Sequence, residues 1–425
     1  MIHHNFMMTE KKADILMTMK SEQFQDILKN AYSEQTEPPE LSIVIPCLNE
    51  EITLGKTIEI AWEAIKLSQM NGEVVIADNG STDKSVAIAE SMNCRVVKAE
   101  EKGYGYALQH GIKESWGKYI IIGDADATYD FREAVPFVKN LEKGTELILG
   151  NRIGGEIQRQ AMPFLHRYLG TPVLTYLINL FFKTCITDVN CGLRGFTREA
   201  VEKLQLISGG MEFSSEMIIK AGIYRLNIAE FPCSLHDDDE NREPHLKTWR
   251  DGWRHLRLIL LFAPHIVFAL PGWISLFLGL LITVLVLPGP FHAFGIYMDY
   301  HYLFYSIPLI ILGYQALWFE TFNKCFIRFS GYLSEDYPSE ESLFFSFPKW
   351  SLGAGNIEIW LLFGFFLFLS GAGALGWIFA KWVATSFGSL SHVRLGIAGM
   401  MLMICGLQTV MNALMISMMS IKVHK

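Results

Sequence analysis

Tyr119-Ile-Ile-Ile-Gly-Asp-Ala-Asp126 decides how this chain is read. The β-prone apolar run Tyr119–Ile122 ends in two carboxylates one residue apart, the pattern of a buried strand that delivers acids at its C-terminal tip. Side chains alternate along extended backbone, so Asp124 and Asp126 point one way and Ala125 the other. Two hard oxygen donors on one side suit Mg²⁺ or Mn²⁺, and a cation so held suits a diphosphate. Acidic pairs at strand ends are common, so the weight of this one depends on its neighbours.

Upstream, Leu41-Ser-Ile-Val-Ile-Pro46 is a strand followed by Cys47-Leu-Asn-Glu-Glu51. Glu73-Val-Val-Ile-Ala77 is another, running into Asp78-Asn-Gly-Ser-Thr-Asp83. Thr82 or Asp83 is the expected N-cap of a helix over Lys84–Met92. The alternation then repeats, with Cys94–Lys98 a strand, Tyr104–Trp116 a helix and Lys118–Gly123 a strand. Strands alternating with helices predict an α/β domain with a mainly parallel sheet covered on both faces. Ligands in such sheets bind beyond the carboxyl ends of the strands, where Glu50, Asp78, Asp124 and Asp126 all fall.

Taken in order, Ile43-Val-Ile-Pro-Cys-Leu-Asn-Glu50, Asp78-Asn-Gly-Ser-Thr-Asp83, Lys102-Gly-Tyr-Gly105 and Asp124-Ala-Asp126 resemble the successive motifs of the family 2 inverting glycosyltransferases. Gly150-Asn-Arg152 and Asp188-Val-Asn-Cys-Gly-Leu-Arg-Gly-Phe196 resemble the later motifs of one branch, the dolichol- and polyprenyl-phosphate sugar synthases. The resemblance spans about residues 40–260. It implies the glycosyltransferase A (Rossmann-like) fold, a UDP- or GDP-linked sugar donor, Mg²⁺ or Mn²⁺, and a polyprenyl or dolichyl phosphate as acceptor. It also implies that Asp124 and Asp126 hold the metal, that Arg152 and Arg194 join them in catalysis, and that Pro46, Asn49, Glu50, Asp78, Lys102 and Gly103 bind substrate. Arg167 stands where this branch often carries an acceptor-phosphate arginine. Glu212 and Glu216, four apart at a helix start, read either as a helix-face pair or as reaching the site, and Glu216 is kept as a substrate-binding candidate. One departure stands out: relatives often carry Gln two residues beyond the second metal Asp, where this chain has Thr128. Water or the threonine hydroxyl then completes the set.

Within 425 residues, 50% of them hydrophobic, there is room for one large domain and a second region. Ile266–Pro288, Tyr302–Phe319, Ile359–Ala380 and Leu395–Ile421 contain no Lys, Arg, Asp or Glu. Each is about long enough to cross a ~30 Å hydrocarbon core. Lys247, Arg250, Arg254 and Arg257 precede the first span, Lys324, Arg328 and Lys349 lie between the second and third, and Lys422 and Lys425 follow the fourth. The intervening loops Phe291–His301 and Lys381–His392 are poor in cations. Basic residues favour the cytoplasmic side, so the large domain and both termini are expected in the cytosol, at a cell inner membrane or the endoplasmic reticulum. The boundaries read as a polar extension over 1–39, a glycosyltransferase domain over 40–247, an interfacial helix over 248–264 and a membrane region over 265–425.

The interfacial helix rests on Trp249 and Trp253, four apart like Arg250 and Arg254, with His255, Arg257 and an apolar remainder. Aromatic and basic residues at helical spacing before a span fit the headgroup layer of a lipid surface. Met1–Glu40 lacks the apolar core of a signal peptide. A net charge of −8 argues against nucleic acid as a partner. The cysteines at 47, 94, 185, 191, 233, 325 and 405 show no paired spacing for zinc or disulfides. Asp237–Glu240 reads as a solvated loop.

Two other functions compete with a lipid-phosphate transferase. Processive polysaccharide synthases also join such a domain to membrane helices, but they carry Gln-x-x-Arg-Trp, whereas this chain has Trp249-Arg250 and Trp253-Arg254. A non-catalytic membrane protein with a degenerate domain would not be expected to keep both Asp124 and Asp126.

Overall fold

Every residue from Leu41 to Cys47 is buried, so this strand is covered on both faces, as a central parallel strand must be. The structure, a computed structural model, describes residues 38–158, 161–237, 248–293, 295–333, 357–389 and 392–419. The extension before residue 38, Asp238–Glu240, and the basic flanks at 247, 349, 422 and 425 lie outside the described residues. The described residues fall into two compact units, one within Met1–Thr175 and Thr184–Lys247, the other within Tyr176–Lys183 and Thr248–Lys425.

The first unit is built on a seven-stranded sheet of β1 (Leu41–Cys47), β2 (Gly72–Asp78), β3 (Arg95–Lys98), β4 (Tyr119–Ile122), β5 (Leu147–Asn151), β6 (Arg194–Thr197) and β7 (Ile228–Pro232). Their order across the sheet is β3-β2-β1-β4-β6-β5-β7. The chain runs outward from β1 to β3, then returns to lay β4 against the other side of β1, which makes the β1/β4 boundary a switch point. The expected strands agree with these to within a residue or so at each end.

Only β6 runs against the rest, antiparallel to both β4 and β5. Its first residue, Arg194, therefore lies at the edge where β4 ends, paired in register with Ile122. That reversal brings the Asp188–Leu193 loop to the acid-bearing edge.

Helix α1 (Leu54–Ser68) buries Leu54, Thr57, Ile58, Ala61, Ala64 and Ile65, a single stripe at helical spacing. The short helix α2 (Ser85–Ser91) has Lys84 at its N-cap with no side-chain cap. Asp83, one of the two expected caps, still accepts the Ser85 N–H at 3.0 Å. Helix α3 (Tyr104–Glu114) begins directly after Gly103.

In the second unit, helix α4 (Thr248–Phe262) buries Asp251, His255, Leu258, Ile259 and Phe262 on one stripe and leaves Arg250, Trp253 and Arg257 exposed. Four helical stretches, His265–Val286, Tyr300–Phe329, Ile357–Ala384 and Val393–Met419, are long and apolar enough to cross a membrane. The second runs ten residues past the expected end at Phe319. Glu320 does not stop it, because its carboxylate meets Lys324 Nζ one turn on and His265 Nδ1, each at 2.7 Å.

These helices form two hairpins with the same internal device. In the first, Gly272 and Gly279 face Gly313 and Ser306; in the second, Gly364 and Gly371 face Gly406 and Gly399. Each glycine sits against a backbone oxygen of the opposite helix, leaving no room for a Cβ at Gly279, Gly313, Gly364, Gly371 and Gly406 and little at Gly272 and Gly399. Small residues seven apart let antiparallel backbones approach closely where lipid offers no hydrophobic drive for association. Tyr314 and Thr409, hydroxyl to hydroxyl at 2.7 Å, tie one hairpin to the other.

Candidate active site

The polar loops after β1 and β2 are laced together before any ligand is considered. Asn49 accepts the Thr82 N–H on Oδ1 at 2.8 Å and donates its own N–H to Ser81 Oγ at 3.0 Å. Asn49 adopts a left-handed φ of 56°, which asparagine tolerates better than most side chains. Glu50 donates its N–H to Ser85 Oγ at 2.9 Å. Asp78 accepts the N–H groups of Ser81 at 2.9 Å and Gly80 at 3.3 Å, folding the turn that follows β2. Glu50, Asp78 and Pro46 are all buried, so this corner is a pre-shaped wall. Lys102 beside it is exposed.

Asp124 and Asp126 follow β4, and each is held by a hydroxyl. Tyr104 Oη donates to Asp124 Oδ1 at 2.9 Å. Thr128 Oγ1 donates to Asp126 Oδ1 at 2.6 Å, joined by the Thr128 N–H at 3.1 Å. Thr128 is therefore an orienter of Asp126. Ala125, between the acids, is anchored by Thr57 Oγ1 of α1 at 3.0 Å to its carbonyl. Ala127 takes a φ of 58°, unusual for a residue with a Cβ, and this sharp turn brings Thr128 back onto Asp126. On the far side, the Asp188–Leu193 loop presents Gly192, whose missing side chain leaves space for Asp124 Oδ2. The Gly192 N–H is held by Tyr129 Oη at 2.9 Å. Burial and the Asp124 carboxylate push Tyr104 ionisation well above the usual range, so its hydroxyl remains a donor.

The donor set fits a hard divalent cation. Among the described residues no group of three or more His, Cys, Asp and Glu side chains converges as a metal cage. A carboxylate pair suits an ion such as Mg²⁺, which keeps waters and takes phosphate oxygens from its ligand.

The arginines sit in different surroundings. The Arg194 guanidinium is buried and donates to the carbonyls of Cys191 at 2.8 Å, Val189 at 2.7 Å and Ser214 at 2.7 Å. It shapes the loop behind Asp124. Arg152 makes a two-pronged ion pair with Asp188, Nε to Oδ2 at 2.7 Å and the terminal nitrogen to Oδ1 at 2.8 Å. Burial opposes ionisation of Asp188, and the Arg152 guanidinium overrides it, holding the carboxyl below the usual range. Arg167 is exposed, over the Tyr168 ring at 5.6 Å. Around it the helical segment presents Phe164, Leu165, Tyr168, Leu169 and Val173, all exposed.

Glu216, the substrate-binding candidate on the helix after residue 212, has its carboxylate engaged within the protein. It is fully buried on helix α5 (Phe213–Ile223), paired with Lys220 at 2.6 Å, and accepts the N–H groups of Ile207 and Ser208. Glycines 103 and 105 are likewise explained by packing: a Cβ on either would strike the Ser208–Gly209 backbone. Sequence reasoning missed Tyr104, Thr57 and Asp188. Tyr104 and Asp188 lay inside motifs already singled out, whereas Thr57 gave no signal beyond its place on the buried stripe of α1.

With this edge in view, comparison with known proteins gives the class. Residues 42–205 match "Glycosyl transferase family 2", and residues 346–420 match "Glycosyltransferase family 2 C-terminal transmembrane region". The chain is 33% identical over 379 residues to the low-salt glycan biosynthesis hexosyltransferase Agl6 of Haloferax volcanii, covering 89% of this chain and 88% of that protein. It is 27% identical over 200 residues to a dolichyl-phosphate hexose transferase of the same organism, covering 47% and 83%. Among solved structures, glucosyl-3-phosphoglycerate synthase of Mycobacterium tuberculosis, with Mn²⁺ and uridine diphosphate, is 20% identical with a TM-score of 0.44, covering 53% of this chain and 80% of that one. That likeness is too distant to carry substrate or metal across.

The chain belongs to glycosyltransferase family 2. It is a membrane glycosyltransferase, with a glycosyltransferase A domain followed by four apolar helices of spanning length.

Proposed function

We propose that this enzyme transfers one sugar, with inversion, from a UDP- or GDP-sugar to a polyprenyl or dolichyl phosphate at the cytosolic face of its membrane. The observation that carries the reading is the oriented pair Asp124/Asp126 at the β1/β4 switch point, beside the pre-shaped wall of Glu50 and Asp78. Asp124 and Asp126 would hold Mg²⁺ or Mn²⁺, and the bound cation supplies positive charge against the departing diphosphate. Glu50 and Asp78 are assigned to the base or ribose of the donor nucleotide.

The lipid acceptor is supported by the exposed aromatic and aliphatic side chains around Arg167, a composition that suits the headgroup layer. The relative described as a dolichyl-phosphate hexose transferase points the same way. A phosphate monoester has its second ionisation near ~6, so such an acceptor is already largely anionic and needs no strong general base. Arg167 is assigned to meet that charge by a charge-assisted contact. Arg152 acts through Asp188 on the loop that backs Asp124.

The test is nucleotide release by the purified protein across common UDP- and GDP-sugars, with and without a polyprenyl phosphate. Release that depends on the lipid phosphate supports the reading, and donor-independent silence in every combination refutes it. The cytosolic placement has its own check. Cysteine labels near Asp299 and near Ser389 should react from outside intact cells, while a label near Ser339 should not; the opposite pattern would put the catalytic domain on the wrong side of the membrane.

A further inference from the structure

Asp124 has a partner that the mechanism above leaves unused. Beside Oδ2, the missing side chain of Gly192 leaves open space. At the other oxygen, Tyr104 donates its hydroxyl to Oδ1 at 2.9 Å. The position of Tyr104 is itself fixed by a chain of contacts that starts remote from the acids. The buried Glu216–Lys220 pair, with Lys220 Nζ also on the Gln205 carbonyl at 2.7 Å, anchors the N–H groups of Ile207 and Ser208. The Ser208 carbonyl accepts from Gln109 of α3 at 2.8 Å, and the Gly209 carbonyl accepts the Gly105 N–H at 3.0 Å. Gly103, at a φ of 153°, gives its N–H to Asn79 Oδ1 at 2.7 Å. The first turn of α3 is thus pinned on both flanks, and its first residue is Tyr104.

We propose that Tyr104 is a positioning residue that fixes the rotation of the Asp124 carboxylate and so sets the affinity of the site for its divalent cation. The proposal rests on the metal reading given above. A carboxylate already turned to its binding orientation loses less freedom when the cation arrives, and a hydroxyl on one oxygen biases the other toward the ligand position. Groups in this supporting position typically change metal affinity by about 10–100-fold when removed.

Tyr104→Phe removes one oxygen and keeps the ring, so packing on α3 is preserved. Mn²⁺ uptake by the purified full-length protein, followed by loss of the free-ion electron paramagnetic resonance signal in the presence of UDP or GDP, reads the affinity directly. Tyr104→Phe should weaken Mn²⁺ binding about 10–100-fold relative to wild type, in a protein that remains folded at the assay temperature. Turnover should recover toward wild type at saturating Mn²⁺. Tyr106→Phe is the control, because that ring packs on Gly209. Equal Mn²⁺ affinity in wild type and Tyr104→Phe would overturn the proposal and leave the metal reading intact. Equal weakening in Tyr106→Phe would overturn it too, by tracing the effect to packing. A wild-type protein that takes up no Mn²⁺ with either nucleotide would remove the metal reading itself.

Discussion

Asp126→Ala should abolish sugar transfer while leaving the protein folded and in the membrane. The carboxylate it removes is one of two hard donors proposed to hold the charge that offsets the leaving diphosphate. Loss of that clamp should raise the barrier by several kcal/mol, roughly a hundredfold or more in rate. The structural cost is small by comparison. Thr128 loses its partner on Asp126, a change worth about 1 kcal/mol. Turnover measured in Mg²⁺ and in Mn²⁺, beside a proteolysis profile matching wild type, separates the two effects. Near-wild-type turnover in either ion would remove Asp126 from the site.

Arg152→Ala should fail for a different reason, by unfolding the catalytic unit. Its partner Asp188 is fully buried, and Arg152 retains only 11% exposure of its side chain. Deleting one member of a buried pair leaves the other charge stranded, at a cost of about 3–5 kcal/mol. For a domain of this size that corresponds to a fall of roughly 10 °C in melting temperature. Replacing both Arg152 and Asp188 with apolar residues should cost less than either single change. The pair also carries a pH signature. The folded Asp188 carboxyl lies below its unfolded value of about 3.9, so its contribution is complete above that pH and is lost as the pH falls through the folded value. An Arg152→Ala protein with unchanged melting that uses the acceptor poorly would instead place Arg152 on the acceptor phosphate.

These two substitutions also mark how far the amino-acid sequence can be read. β1, β2 and β4 were legible because each is an apolar run closed by a polar tip, a local pattern that burial enforces. Asp124 and Asp126 were singled out by their place directly after such a run, although they lie past the strand in the turn that follows it, where alternation no longer applies. The direction of β6 was not legible. Arg194-Gly-Phe-Thr197 is four residues without an apolar run, and its antiparallel pairing is a contact between distant segments.

Arginine roles were hidden for a related reason. A guanidinium in a motif can face phosphate or backbone, and only the tertiary fold delivered three carbonyls to Arg194 and the Asp188 carboxylate to Arg152. The membrane helices were visible as charge-free runs, yet the second ran on past Glu320. Lys324, one turn on, pairs with that carboxylate at a local spacing, whereas its second contact, His265, lies 55 residues away, beyond the reach of any local pattern. The paired glycines of the two hairpins gave no signal as a repeat, because their seven-residue spacing acquires meaning only when the facing helix is known.

The most direct measurement of what this enzyme makes is the chemical nature of its product. Purified protein is supplied with a radiolabelled nucleotide-sugar that supports release, together with a polyprenyl phosphate, and the label is partitioned between organic and aqueous phases. The expected product is one sugar on one lipid, extractable into organic solvent and released by mild acid. Label that stays in the aqueous phase as a ladder of increasing length would identify a polymerase and contradict the lipid-phosphate acceptor.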